Sequence, residues 1–495
     1  MNKSETDHGC NFAGELVKRL GSLSYLIDAA TGETLRPCDL PRLISSFGGR
    51  MLSAGLKPGD PILIGCRLSP SSGIAYLGAM YAGLVPIPVE ENTLASSADI
   101  LLNRTGATAL WTEKPNTFDK INSQTVKLIH GHPAEMLADT IPPVPRKNND
   151  LAALMATSGS TGAPRFVMVT HGNLRANTEA IARSQHLADD ERAMLILPVS
   201  YCFGTSVLHS HLYRGGGVVF DRRFMFPDKV LRAVNQHGCT TFAGVPSVYN
   251  ILLRRSNIRS IPMPGLRRFL QAGGALAPQH VVEMRSIVPT AKFYVMYGQT
   301  EATARISCLD PEKLDEKLGS VGKPLDNLEV SIVDEDGIDL PAGRTGQIVV
   351  RGPSITLGYL NEPEASGLVF KDGRLNTGDL AHLDDDGYIW IDGRMGAFLK
   401  MRGIRVGLAE VEARVAAVPG VYECAAAAVP HPEVGEALVL YIVPDEKAHD
   451  VANQVRNSLP ATWTCDSIRI VSTIPKTSRG KISREVLFRG EDRQG

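Results

Sequence analysis

Residues 151–165 read LAALMATSGSTGAPR. The opening LAALMA is an unbroken apolar run of the length expected for a buried strand. It passes directly into TSGSTGAPR (157–165), where small hydroxylated residues alternate with glycine. Glycine lets backbone N–H groups approach an anion closely, and the hydroxyls add further donors. Arg165 supplies positive charge at the end of the loop. Taken alone, such a loop is also compatible with a flexible surface turn. Two other chemistries are excluded: the chain contains neither a GxxxxGK[ST] phosphate loop nor a GxSxG nucleophile elbow.

Outward from this loop, short apolar runs alternate with helical patterns. Leu43, Phe47, Met51, Leu52 and Leu56 approximate a helical stripe, and PILIGC (61–66) follows as a strand. A helix over roughly 73–83 leads to VPIPVE (85–90). MLILPVS (194–200), GGVVF (216–220), FAGVPS (242–247), RRFLQAGG (267–274) and FYVMYG (293–298) read as further strands, most ending in Gly or Ser. This alternation predicts parallel sheets covered by helices, with ligands at the carboxyl ends of the strands. After about residue 320 the texture changes. LEVSIVDEDG, GQIVVRG and YIWIDGR carry acidic-Gly turns and read as antiparallel hairpins, a β-rich subdomain. Beyond Arg394 a helix from Leu408 to Ala417 and strands near ECAAAAV and ALVLYIV follow. That last stretch of about 100 residues is long enough to be its own domain. The expected hinge lies around Gly393–Ala397.

The 495 residues suggest about three compact units. A formal net charge of -1 gives no reason to expect a nucleic-acid or acidic-membrane partner. Eight cysteines are scattered without a CxxC pair, as for incidental thiols in a reducing, cytoplasmic setting. The N-terminal MNKSETDHGCNF has no apolar signal core. No apolar stretch is long enough for a membrane span; residues 62–88 come nearest but are interrupted by Arg67, Pro70 and Gly73. His209 and His211 lie two apart with no third ligand evident, so no metal is expected there.

Further segments follow the loop in order: AGGA (272–275), YGQTE (297–301), TGD (377–379), KMRGIRVGLAEVE (400–412) and PKTSRGKISR (475–484). Together they resemble the AMP-forming adenylating superfamily, which includes acyl- and aryl-CoA synthetases, peptide-synthetase adenylation domains and luciferases. The resemblance spans most of residues 150–485 and is nearest to a stand-alone acyl-CoA synthetase. It implies an α/β fold: a large N-terminal domain of two helix-covered sheets plus a β-rich subdomain (1–394), and a small mobile α+β lid (395–495). It also implies ATP, Mg²⁺ and coenzyme A as cofactors.

Carried over by position, the resemblance makes Thr157, Ser158, Gly159, Ser160, Thr161, Gly162 and Arg165 the phosphate loop. Gly273, Gly274 and Ala275 line the adenine and acyl pocket. Tyr297, followed by Gly298, is the adenine neighbour, Thr300 a phosphate contact and Glu301 the Mg²⁺ ligand. Asp379 takes the ribose hydroxyls, with Arg394 as a second contact. Gly403 borders the thiol tunnel. Glu410 and Glu412 read as a solvated helix face. His171, in VTHGNL, reads as structural. Lys481 is the catalytic cation: a carboxylate must meet a triphosphate, and a cation between them offsets the repulsion.

Five positions depart from the family's pattern. Arg165 and Phe166 stand where lysine and glycine are usual, and Gly396 where Asp or Lys marks the hinge. Tyr201 replaces a histidine in LPVSYCFG, and Gln347 replaces a glutamate. Glycine tolerates large backbone rotations, so Gly396 is the expected pivot. Tyr201, Phe203, Phe242 and Gln299 are the expected acyl contacts. Candidate lining segments (201–205, 242–245, 273–275, 296–299 and Ile306) are mostly apolar, with no acidic anchor for an ammonium group. That leans towards aryl or medium-chain acids.

The expected reaction is ATP-dependent formation of acyl-AMP and pyrophosphate, then a thioester with CoA. AAVPHPEVGEALVLYIVP (427–444) favours CoA over a peptide-synthetase context. The rivals are an enzyme that loads an acyl carrier protein in trans or forms an amide, and a non-catalytic protein that binds nucleotide or acyl groups.

Overall fold

The computed structural model describes residues 11–113, 126–136, 138–157, 164–395, 398–401, 404–431, 435–445, 450–460, 463, 465–476 and 482. Gly396, Gly403, Lys481 and the loop residues Ser158 to Gly162 lie outside them.

Among the described residues the largest sheet has a parallel centre. Leu26–Asp28, Gly217–Phe220, Arg192–Leu195, Thr241–Gly244, Arg268–Gln271 and Lys292–Tyr297 lie side by side, all parallel. Thr34–Leu35 closes one edge antiparallel, and Ser307–Cys308 and Lys323–Pro324 close the other. A second, wholly parallel sheet runs Val85–Glu90, Pro61–Cys66, Ala109–Thr112, Lys127–His130. The helix Pro70–Tyr81 is buried on every side, as an all-round apolar helix between layers must be. Proline at its first position and the Ser69 side chain, which accepts from Ser72 N, fix its start. Gly78 lets the neighbouring helix Leu40–Ser53 approach, because a Cβ there would sit 2.8 Å from the Ile44 carbonyl oxygen.

The hairpins read from the acidic-Gly turns form an antiparallel sheet. Glu329–Val333, Gly346–Arg351, Arg374–Leu383 and Phe370–Lys371 lie in that order, and Ile389–Arg394 pairs with Arg374–Leu383. The C-terminal residues build a separate sheet and core. Val421–His431 and Gly435–Pro444 pair antiparallel, and Cys465–Ile470 lies parallel to the latter. Val411 and Val415 of the helix Leu408–Ala416 pack there with Leu438, Leu440 and Val455. Gln279 Nε2 donates to the Ala416 carbonyl at 2.7 Å, and the Arg255 guanidinium lies 4.7 Å from the Tyr422 ring centre.

The strand before the loop differs from expectation. Leu151–Thr157 belongs to neither parallel sheet; it pairs antiparallel with Arg165–Thr170, with Thr157 opposite Arg165. The glycine-rich segment therefore joins two arms of a hairpin. FAGVPS also divides: its strand ends at Gly244, and Pro246 starts a helix, Pro246–Arg255, where a missing N–H costs nothing. MLILPVS is strand only to Leu195.

Candidate active site

Thr157 and Arg165 face each other at the ends of the hairpin. Arg165 does not stand alone. Its Nε donates to Glu362 Oε2 at 3.0 Å, and Glu362 Oε1 accepts from Arg104 Nη2 at 2.7 Å. The Arg165 guanidinium lies 5.3 Å from the centre of the Tyr359 ring. The Tyr359 hydroxyl donates to Glu301 Oε1 at 2.8 Å. Burial and the Glu301 charge push that hydroxyl's pKa up, so it remains a donor. One network thus brings Arg165 and Glu301 together.

Glu301 is the middle residue of a single 3-10 turn, Thr300–Ala302, which follows the strand Lys292–Tyr297 after Gly298 and Gln299. The turn is held tightly. Thr356 donates twice to the Glu301 carbonyl, from N at 3.1 Å and Oγ1 at 3.0 Å. Thr303 adopts φ of 69°, a left-handed conformation costly for a β-branched residue. Its Oγ1 donates to the Ser354 carbonyl at 2.7 Å. Gly298 is required because a Cβ would collide with the Ala304 carbonyl. Thr300 is buried, and its Oγ1 donates to Cys202 Sγ at 3.4 Å.

Tyr297, the last residue of the strand, meets the β-rich sheet. Its hydroxyl donates to Asp379 Oδ2 at 2.6 Å. Asp379 pairs in register with Arg394, whose Nε lies 3.7 Å from Asp379 Oδ1 and whose side chain is 65% exposed. Burial first, then the Asp379 charge, hold the Tyr297 hydroxyl well above the usual tyrosine range. Asp379 N donates to Thr377 Oγ1 at 3.1 Å, which fixes the bend that carries the carboxylate.

The expected acyl wall is partly assembled. Tyr201 and Phe203 sit edge to face, ring centres 6.3 Å apart, at the start of the helix Cys202–Tyr213. Tyr201 lies over Gly273: a Cβ at Gly273, which has φ of 86°, would be 2.6 Å from the tyrosine hydroxyl. Gly274 and Ala275 are exposed beside it, and Gln271 Nε2 donates to the Gly274 carbonyl at 2.7 Å. Gln299 Nε2 is buried with no hydrogen-bond partner. Phe242 is placed elsewhere. It is fully enclosed, its ring edge-on to Phe269 in an aromatic cluster with Tyr249 and Phe293, so it supports the sheet instead of facing a cleft.

His171 is buried and its Nδ1 accepts from Phe12 N at 3.1 Å. His209 sits between Phe12 and Tyr76, and His211 Nδ1 bonds the Val207 carbonyl. Glu412 is not simply a solvated helix face; its Oε1 accepts from Ala426 N at 2.9 Å. Beside Lys481, Ile482 bridges Lys476, and Lys476 Nζ pairs with Glu423 at 2.9 Å. Sequence reasoning missed Tyr359, Glu362 and a buried arginine, Arg305. A tyrosine before a proline-led helix and a charged residue after a strand carry no local signature of these roles.

Residues 31–360 match the family described as AMP-binding enzyme, and residues 410–481 match the AMP-binding enzyme C-terminal domain. A feruloyl-CoA synthase of Amycolatopsis sp. is 32% identical over 463 residues, covering 91% of this chain and 93% of its own. A 2-succinylbenzoate–CoA ligase of Bacillus licheniformis is 28% identical, covering 89% and 91%. The ATP-bound crystal structure of MatB from Rhodopseudomonas palustris shares the fold, with a TM-score of 0.88 at 24% identity, covering 97% of this chain and 99% of that one.

Proposed function

Since the chain belongs to the AMP-binding enzyme family, we propose that it activates a carboxylic acid with ATP and passes the acyl group to coenzyme A. The observation that carries this reading is the end of the strand Lys292–Tyr297. There an aromatic ring bonded to one carboxylate, Asp379, stands four residues from a second carboxylate, Glu301.

In the first half-reaction the substrate carboxylate oxygen attacks the α-phosphorus. A phosphorus–oxygen bond to pyrophosphate breaks as the acyl–phosphate bond forms. The Tyr297 ring flanks the adenine, and the Asp379 carboxylate accepts from the ribose hydroxyls, with Arg394 beside it. Residues 157–162 supply backbone and hydroxyl donors to the phosphates. Arg165, bound to Glu362, serves to anchor the loop's end; Glu362 is shared with Arg104, so the cluster keeps a net positive charge beside the phosphates. Thr300 adds a phosphate contact by turning its hydroxyl away from Cys202. Glu301, a hard oxygen donor fixed by Tyr359, is the residue suited to Mg²⁺, which would offset phosphate charge when bound with ATP. Lys481 stabilises the charge that develops on the α-phosphoryl oxygens. In the second half-reaction a thiol attacks the mixed anhydride and AMP leaves. We assign residues 1–394 to the adenylating domain and 395–495 to a lid that turns about Gly396 between the steps, exchanging Lys481 for the strand near Gly403. The separate C-terminal core supports that division.

Acid-dependent pyrophosphate release over a panel of acids tests the first step. Product analysis with CoA against a holo-carrier protein tests the second. Pyrophosphate release with no thioester on CoA would move the assignment to carrier loading or amide formation. No release with any acid would leave a nucleotide- or acyl-binding protein.

A further inference from the structure

Arg305 is 2% exposed, among the largest fully buried side chains. Its Nε is buried with no hydrogen-bond partner. One terminal nitrogen rests on the Met296 sulfur, and the guanidinium carbon lies 5.1 Å from the centre of the Phe203 ring. The titratable groups that act on it most strongly are Cys308, Cys202 and Tyr201; none is a carboxylate. Several other shielded arginines of this chain hold an acid. Arg268 holds Glu191, Arg223 holds Asp221 and Arg175 holds Glu15. Buried charges are ordinarily paired, because an ion stripped of water and left without a partner is costly. Arginine cannot escape by losing its proton.

The position of this cation is fixed. Arg305 N donates to Asn177 Oδ1 at 3.2 Å, and Asn177 Nδ2 donates to the Arg305 carbonyl at 2.8 Å. The side chain is thereby held against Tyr201, Cys202 and Phe203. Tyr201 covers Gly273, and Cys202 accepts from Thr300, so these residues join the expected acyl wall to the turn that carries Glu301. A flat guanidinium stacked on an aromatic face, with a donor unspent, matches the fork geometry of a carboxylate.

We infer that Arg305 is the counter-ion for a second anionic group on the acid, so that the substrate is a dicarboxylic acid activated at one carboxyl group and recognised by the other. This rests on the acid-activating reading above and narrows its substrate class. It also revises the apolar character read from the lining segments, which did not include residue 305.

The experiment is pyrophosphate release with matched acids: benzoate against benzene-1,3- and benzene-1,4-dicarboxylate, and butyrate against succinate and glutarate. Wild type and the Arg305→Met and Arg305→Lys variants are compared. The expected result is a best diacid preferred at least about 100-fold in kcat/KM over its monoacid. Arg305→Met should lose about 100-fold on that diacid, chiefly through KM, and gain on the monoacid. Arg305→Lys should recover part of the loss. If wild type uses monoacids as well as diacids, or Arg305→Met depresses both alike, the inference is overturned while acid activation stands. Silence with every acid overturns both. Should Arg305→Met not fold, wild type alone decides: with ATP present, a diacid must raise the thermal midpoint and its monoacid must not.

Discussion

The Tyr297 hydroxyl donates to Asp379 across the junction between the parallel sheet and the β-rich sheet, at 2.6 Å. Eighty-two residues apart in sequence, the two are the point where a strand end and a hairpin bend become one surface.

Removing that hydroxyl while keeping the ring separates its two roles. Tyr297→Phe should raise KM for ATP about tenfold, the scale of one hydrogen bond to a charged group. KM for the acid should move little. Asp379→Ala should cost more, because the carboxylate itself is lost. Steady-state kinetics at saturating acid measures this. A rise confined to the acid KM would place the pair on the acyl side instead.

Gly273→Ala brings two penalties. The left-handed backbone costs about 1–2 kcal/mol for an alanine, and the new Cβ lies within 2.6 Å of the Tyr201 hydroxyl. Adding Tyr201→Phe relieves only the second. The double variant should therefore melt above the single one yet below Tyr201→Phe alone, and recover part of its affinity for the acid. Strictly additive thermal shifts would show that the two residues do not meet.

Lys481→Ala should slow pyrophosphate release by about 100-fold or more, as loss of one preorganised cation or donor does. Thioester formation from synthetic acyl-AMP and CoA should persist. Undiminished pyrophosphate release would remove the tail from the chemistry. Gly396→Pro should show the opposite bias, slowing thioester formation more than adenylate formation.

Stability should fall on mild acidification. Burial lowers His171 and His209 from their ordinary 6.5 to about 3, and His211 to about 4. Above about 6.5 these rings are neutral whether the chain is folded or not. Below it only the unfolded chain takes up protons, until the folded values are reached. Each ring then costs the fold about 1.4 kcal/mol per pH unit. The urea midpoint should drop between pH 7 and pH 5, and His209→Phe should flatten that slope. An unchanged slope would mean His209 does not titrate on unfolding.

Most strands of the parallel sheets were legible because a buried strand leaves an apolar run bounded by Gly, Pro or Ser, as in PILIGC and VPIPVE; Leu26–Asp28, Ala109–Thr112 and Lys127–His130 were not, because runs of three or four residues carry too short a pattern. RFVMVT was not, because its partner is the preceding strand and nothing local distinguishes a hairpin arm from a sheet member. The site divided in the same way. Motif residues such as Tyr297, Asp379 and Glu301 could be named from a resemblance. Tyr359 and Glu362 could not, since they act on residues 58 and 197 positions away. Phe242 was misplaced because an aromatic on a strand has the same pattern whether it faces a helix or a cleft. Arg305 was overlooked because periodicity records apolar positions and is blind to a charge that the fold encloses.

The hairpin register carries a consequence for how this chain can vary. With Thr157 set opposite Arg165, and Phe166 and Val167 buried beyond it, losing or gaining one connecting residue cannot be absorbed by sliding the arms. A slip of one would turn every side chain of an arm to the opposite face. The two arms are therefore locked in register, and a change in the connecting length has to be taken up by the connection itself.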